Sequence, residues 1–188
     1  MQKRTWIRTG AGVVAFSAFV ALAGLAAPSL LDIDQYKPAM IAAVSLDEGP
    51  IAIHRTFLSV EGSTKAAFEK PKRALGSLGE AAVRLFAPVS GKLGLAEGIE
   101  SAMSAYALTG IPVWATLGNE RFGLVSVPES VTELHLFVDH DAGGELAESR
   151  GLAAYARDGR TIHVRKPSSR DTDWNDELTA WLRRKAAR

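Results

Sequence analysis

Cysteine is absent from the 188 residues. That excludes disulfide frameworks, cysteine-bound zinc ribbons and thiol nucleophiles, so any metal must sit on oxygen or imidazole. Oxygen-rich ligand sets favour hard ions such as Mg²⁺ or Mn²⁺. An excess of one charge is missing too: 22 Lys and Arg against 21 Asp and Glu leave a net +1. No global basic field advertises nucleic acid, so such a contact needs a local patch. There is no Gly-x-x-x-x-Gly-Lys-Ser/Thr loop, which removes the usual signature of an attached nucleotide-driven motor. What remains is 47% apolar and 23% charged, the balance of a folded chain with one real core and a short appendage.

The amino terminus stands apart. Lys3, Arg4 and Arg8 precede an uncharged run from Thr9 to Leu31, with small residues at Gly24, Ala26 and Ala27. A basic start followed by such a run resembles a secretory leader, and its length is near the lower limit for a membrane span. A mis-assigned start and a helix of the folded domain are the competing readings. A span with its basic end on the cytoplasmic side would place the rest outside. The chemistry argued below belongs in the cytoplasm, so a cytoplasmic protein with no stable membrane partner is expected.

Beyond Pro28 the pattern becomes that of a folded domain. Met40 to Val44, a turn at Asp47-Glu48-Gly49-Pro50 and Ile51 to Val60 read as a β-hairpin. Thr64 to Leu78 reads as a basic loop carrying Lys65, Lys70, Lys72 and Arg73. It is either a solvated loop or, together with Arg55, an arm that follows a nucleic-acid backbone. Strands follow at Ala82 to Phe86 and Lys92 to Ala96, then a helix from Ile99 to Leu108 and strands at Val113 to Leu117 and Leu134 to Val138. A helix from Glu145 to Arg157, a strand from Thr161 to Val164 and a last helix from Trp174 complete the order. Alternating strands and helices imply an α/β fold with a mostly parallel sheet flanked by helices, preceded by the hairpin segment and an apolar amino-terminal helix. In such sheets reactive residues gather at the carboxyl ends of the strands.

Carboxylates stand at those ends. Glu97 follows Leu93 to Ala96, Asp139 and Asp141 follow Leu134 to Val138 in LHLFVDHDAGG, and Asp171, Asp173 and Asp176 follow the last strand in DTDWNDE. Clustered anions repel one another unless a cation intervenes, and a divalent ion so held can neutralise charge on a phosphoryl oxygen. Gly143 and Gly144 supply freedom for the turn after Asp139. Taken singly, Asp141 and Asp173 also read as helix N-caps.

The remaining polar and aromatic residues favour structural roles. His54 and His163, beside Arg55 and Arg165, read as hydrogen-bonded strand residues, with metal ligation or proton shuttling the alternative, and His140 as the middle of a turn, with substrate contact the alternative. Trp114, Trp174 and Trp181 read as core, with base stacking an alternative for Trp174. Arg183, Arg184, Lys185 and Arg188 suit the carboxyl end of a helix, with phosphate contact the alternative.

The strings LAEGIESAMSAYALTGIPVWATLG, LFVDHDAGG and DTDWNDEL resemble the Toprim domains of phage- and plasmid-type primases and primase-helicases. IAIHRTFLSVEGSTKAAFEKPKRALG resembles the segment that precedes Toprim in those proteins. The resemblance implies a leader over 1–35, a primase-associated segment over 36–90 and a compact, Rossmann-like Toprim domain over 91–188. It implies Mg²⁺-dependent nucleotidyl or phosphoryl transfer in replication of a mobile element. Glu97 would be the catalytic acid or base, and Asp139, Asp141 and Asp173 the ligands of Mg²⁺ or Mn²⁺. The implied partners are DNA or RNA, nucleoside triphosphates and a separate replicative helicase. A Toprim nuclease and a non-catalytic nucleic-acid-binding remnant are the alternatives. Tyr106 and Tyr155 fall inside expected helices, which argues against a topoisomerase-like tyrosine nucleophile.

Overall fold

The computed structural model describes residues 38–60, 62 and 64–188. The expected leader and apolar amino-terminal helix lie outside the described residues. Among the described residues no helix is long and apolar enough to cross a membrane.

The chain begins with β1 (Ala39–Leu46), β2 (Gly49–Phe57) and β3 (Lys72–Leu75), which form a three-stranded sheet in the order β1-β2-β3. Next come β4 (Lys92–Ala96), α1 (Ile99–Thr109), β5 (Val113–Ala115), a single 3₁₀ turn at Asn119–Arg121 and β6 (Glu133–Phe137). The chain closes with α2 (Ala142–Tyr155), β7 (Thr161–Arg165) and α3 (Trp174–Ala186). Strands β4 to β7 make a second sheet in the order β5-β4-β6-β7, parallel throughout. By compactness the described residues divide into two units, one holding 38–41 and 55–73, the other holding 42–54 and 74–188.

In the larger unit, alternation along the strands decides what each face buries. Leu93, Leu95, Leu134, Leu136 and Val138 point one way and join Trp114, Phe122, Ala147 and Tyr155 in the core, with Ile162 and Val164 packed against it. Burying a side chain of this size stabilises by roughly 1.5–3 kcal/mol. Gly151 lets α2 settle on this face, since a Cβ there would come within 2.7 Å of Leu136 Cδ1. The opposite face carries Gly94, Ala96 and Phe137, and α1 packs against β4, β5 and α3. A Cβ at Gly94 would stand 2.6 Å from the Phe137 ring, so glycine makes the room that Phe137 fills. Phe137 in turn meets Trp174 edge to face at 5.0 Å. Helix α1 stops at Gly110, whose φ of 72° favours glycine.

In the smaller unit, backbone bonds from Leu58 to Pro38, Phe57 to Pro71 and Ala66 to Phe57 tie a short loop together. Phe57 and Phe68 meet edge to face at 5.5 Å. The Arg73 guanidinium lies 5.6 Å from the Phe57 ring centroid and 6.0 Å from that of Phe68.

Four expectations are corrected. Ala82 to Phe86 is not a strand: Ala82 makes one isolated bridge to Ser45 and Val83 one to Ala115, and the pairing goes no further with either. The basic loop contains β3. The strand from Val113 ends at Ala115, because Leu117 and Gly118 take φ values of 70° and 147° and turn the chain. Trp181 is not core: it is 37% exposed, with Lys185 Nζ 4.9 Å from its ring centroid.

Candidate functional site

Strand order brings the carboxylates together. β4 lies between β5 and β6, and β7 adjoins β6, so their carboxyl ends share one edge. Ala96 is level with Phe137 and Phe137 with Arg165. Glu97 and Asp139 therefore leave adjacent strands just beyond their last paired residues. The turn after β5 fixes the backbone at Glu97, through Thr116 N–H to the Ala96 carbonyl and Leu117 N–H to the Glu97 carbonyl, both at 2.8 Å. Arg121 braces that turn from beneath. Its buried guanidinium donates to the carbonyls of Thr116, Gly79 and Ala81 at 2.5, 3.1 and 2.6 Å.

The Asp-x-Asp segment is held just as closely. His140 N–H donates to the Thr172 carbonyl at 3.1 Å, and Asp171 N–H returns a bond to the His140 carbonyl at 2.9 Å. Its Nδ1 faces the Pro167 carbonyl at 3.0 Å, so the imidazole binds protein rather than solvent alone. Trp174 Nε1 donates to the Val138 carbonyl at 3.3 Å, fixing the start of α3 beside the end of β6. Gly144 acts through close approach: a Cβ there would come within 1.8 Å of the Asp139 carbonyl oxygen.

Asp141 and Asp173 are both helix N-caps. Asp141 Oδ1 accepts from Gly144 N–H at 2.8 Å at the head of α2. Asp173 Oδ1 accepts from Asp176 N–H at 2.9 Å at the head of α3, and Asp176 Oδ2 completes the box by accepting from Asp173 N–H at 3.3 Å. One oxygen of each carboxylate makes the cap and the second takes no part in it. The capping and ligand readings of these residues are therefore compatible.

Asp139 differs from both. Its Oδ1 is buried with no hydrogen-bond partner. Burial, followed by the charges of Glu97, Asp173, Asp141 and Asp176, pushes its carboxyl up to about 7. An orphaned buried carboxylate oxygen surrounded by anions fits a hard divalent cation. Asp171, with a φ of 57°, serves the turn through its backbone. Arg55, Lys65, Lys72 and Arg73 all fall in the smaller unit. There Arg55 lies 5.7 Å from the Phe57 centroid, and Arg73 Nε donates to the Lys70 carbonyl at 3.1 Å.

With this geometry in view, the comparisons with known proteins converge. The family model described as a Toprim domain matches residues 92–183. Residues 92–183 are a Toprim domain. A domain family of unknown function matches residues 27–85, ahead of it. Among solved structures, the primase fragment of the bacteriophage T7 primase-helicase protein is similar at 15% identity and a TM-score of 0.56, over 80% of this chain and 61% of that one. A DNA primase domain from Pseudomonas aeruginosa is similar at 14% identity and a TM-score of 0.53, over 82% of this chain and 52% of that one. The chain thus spans little more than half the length of these neighbours, and the likeness is one of fold. Curated protein sequences gave no match. The Toprim sheet, its flanking helices and the hairpin sheet before it agree with the α/β architecture expected from sequence.

Sequence reasoning passed over Arg121 and the partners of His163. Nothing in the sequence singles out Arg121, and only the fold shows it capping three carbonyls. Glu133, His135 and His163 lie with their ligand-type atoms all within 4.8 Å of one another. Glu-x-His on one strand face was visible in LHLF and its preceding glutamate, but the match to His163 needs the register of β6 on β7.

Proposed function

We propose that this chain is a Mg²⁺-dependent nucleotidyl-transfer protein of primase type, acting on nucleic acid in the replication of a mobile element. The observation that carries it is Asp139, whose buried unpartnered oxygen stands among four further carboxylates at the carboxyl edge of a Toprim sheet. Asp139, Asp141 and Asp173 would hold Mg²⁺ or Mn²⁺, each offering an oxygen outside the helix caps. Bound there, the ion supplies positive charge against the phosphoryl oxygens of the substrate. Glu97, at the neighbouring strand end, accepts the proton of the attacking hydroxyl as its oxygen bonds to the α-phosphorus and diphosphate leaves. Helices α2 and α3 turn their amino ends, with their partial positive charge, towards the same edge.

In this reading residues 91–188 are the catalytic domain and 36–90 the segment that assists it, with the basic side chains Arg55, Lys65, Lys72 and Arg73 contacting nucleic-acid phosphates. Nucleoside triphosphates are co-substrates and a separate helicase is a partner, which places the protein in the cytoplasm. The neighbours named above are a DNA primase domain and the primase fragment of a primase-helicase protein, which supports the choice of synthesis over cleavage.

The test is template-directed synthesis by the full chain with single-stranded DNA, labelled nucleoside triphosphates and Mg²⁺. Asp139→Ala and Asp141→Ala are expected to lower product at least about 100-fold with an unchanged circular dichroism spectrum. Undiminished synthesis by either variant would refute the assignment. Metal-dependent hydrolysis of labelled nucleic acid without synthesis would replace it with a nuclease.

A further inference from the structure

The amino-terminal end of the same sheet carries ligand-type side chains that the acidic edge does not use. Glu133 and His135 project from one face of β6, two residues apart. β7 pairs in register, so His163 stands level with His135. Glu133 Oε1 lies 2.9 Å from His135 Nε2 and 3.7 Å from His163 Nε2. Lys92 Nζ, on β4, holds the other oxygen, Oε2, at 2.8 Å and so turns Oε1 towards both rings. His135 is 1% exposed, whereas the His163 side chain is 44% exposed and has room to rotate. The rings stack at 4.8 Å between centroids and 15° between planes, so the two nitrogens converge on one ion only when the exposed His163 ring turns.

We propose that Glu133, His135 and His163 form a second metal site, one that takes a borderline divalent transition ion such as Zn²⁺ or Co²⁺ rather than Mg²⁺. Two imidazoles and one carboxylate are the donor set such ions prefer, and ligands about 2.0–2.2 Å from a common ion stand roughly 3–4 Å apart, as the two measured separations do. Asp139 is six residues beyond Glu133 and two past the end of β6, roughly 20 Å away at about 3.3 Å per residue, so this is not the acidic edge. The ion would clip the edge strand β7 to β6.

Arg165 opposes loading. Its Nε donates to His135 Nδ1 at 3.0 Å, which makes Nδ1 the acceptor and leaves the ring hydrogen on Nε2, donated to Glu133 Oε1. A metal at Nε2 displaces that hydrogen. The proton lost there is regained at Nδ1, and the exposed Arg165 side chain must then let go, because two donors cannot face each other. A ligating histidine needs an acceptor at its other nitrogen. Arg165→Gln offers one.

The experiment is a Co²⁺ titration of the full chain in excess Mg²⁺, read by visible absorption, with parallel Zn²⁺ calorimetry. The wild type and Asp139→Asn are expected to bind one Co²⁺ equally well. His163→Gln, at an exposed position, should weaken binding at least about tenfold, Glu133→Gln likewise, and Arg165→Gln should tighten it about tenfold. Metal-free melting curves establish that the variants are folded. Equal affinity in wild type and His163→Gln, or binding lost in Asp139→Asn alone, would overturn the site. An unchanged affinity in Arg165→Gln would overturn the role given to Arg165.

Discussion

Replacing Asp139 with asparagine should stabilise the metal-free protein while removing its response to Mg²⁺. The Asp139 carboxyl stands near 7 against an ordinary value of 3.8, with burial as the first cause and four neighbouring carboxylates as the rest. A raised carboxyl means that the folded state binds more protons than the unfolded chain between these two values. Stability therefore declines as pH rises from about 4 to about 7, and the full penalty is present above 7. At about 1.36 kcal/mol per unit the penalty has an upper limit near 4 kcal/mol, and solvent reaching the site brings the expectation to about 2–4 kcal/mol. Asparagine keeps the shape and does not titrate. In EDTA at pH 8, Asp139→Asn should then melt roughly 5–12 °C above wild type, and at pH 4 the two curves should nearly coincide. Saturating Mg²⁺ should raise the wild type alone, because only it binds the ion. Differential scanning calorimetry across pH checks this. A variant less stable than wild type at pH 8 in EDTA, or a gap that does not shrink on acidification, would refute both the electrostatic argument and the ligand role.

Two further substitutions probe what holds the edge in place. Arg121→Leu leaves the carbonyls of Thr116, Gly79 and Ala81 without their donor and should destabilise by about 3 kcal/mol in urea denaturation, with weaker Mg²⁺ binding through the loosened turn at Glu97. Gly144→Ala drives a methyl into the Asp139 carbonyl; a loss of more than about 2 kcal/mol is expected on thermal melting, with Mg²⁺ affinity falling in parallel by calorimetry.

How much of this was legible in sequence followed from the range of each signal. The alternating leucines of β4 and β6 and the acids beyond them are local, so strands, helices and the placement of Glu97, Asp139, Asp141 and Asp173 at the ends of elements could be read within a few residues. Ends of elements were less secure because turns decide them: β5 stops short where Leu117 enters a left-handed conformation that no hydrophobic pattern announces. Non-local pairing was invisible. Ala82 and Val83 have strand-like composition but are shared between Ser45 and Ala115, and the Glu133–His135–His163 group exists only through the register of β6 on β7. Trp181 misled because its helix repeat suits burial, while in the fold its ring lies under Lys185 at the surface.

The caps and the cluster answer a single physical problem. Five carboxylates gathered at one edge would repel each other, and each needs a compensating partner. Asp141 takes one from the head of α2, while Asp173 and Asp176 take theirs from each other's backbone at the head of α3, where the helix dipoles also favour negative charge. Asp139 Oδ1 is given no such partner, although it is the buried oxygen on which the other charges act. A structural cluster would satisfy its most buried oxygen first and leave the exposed ones to water. The reverse distribution here is what a site open to a cation requires, since an oxygen already bonded to protein would have to surrender that bond on binding. The same caps that could have explained the aspartates away thus fix Asp141 and Asp173 around the oxygen that lacks a partner.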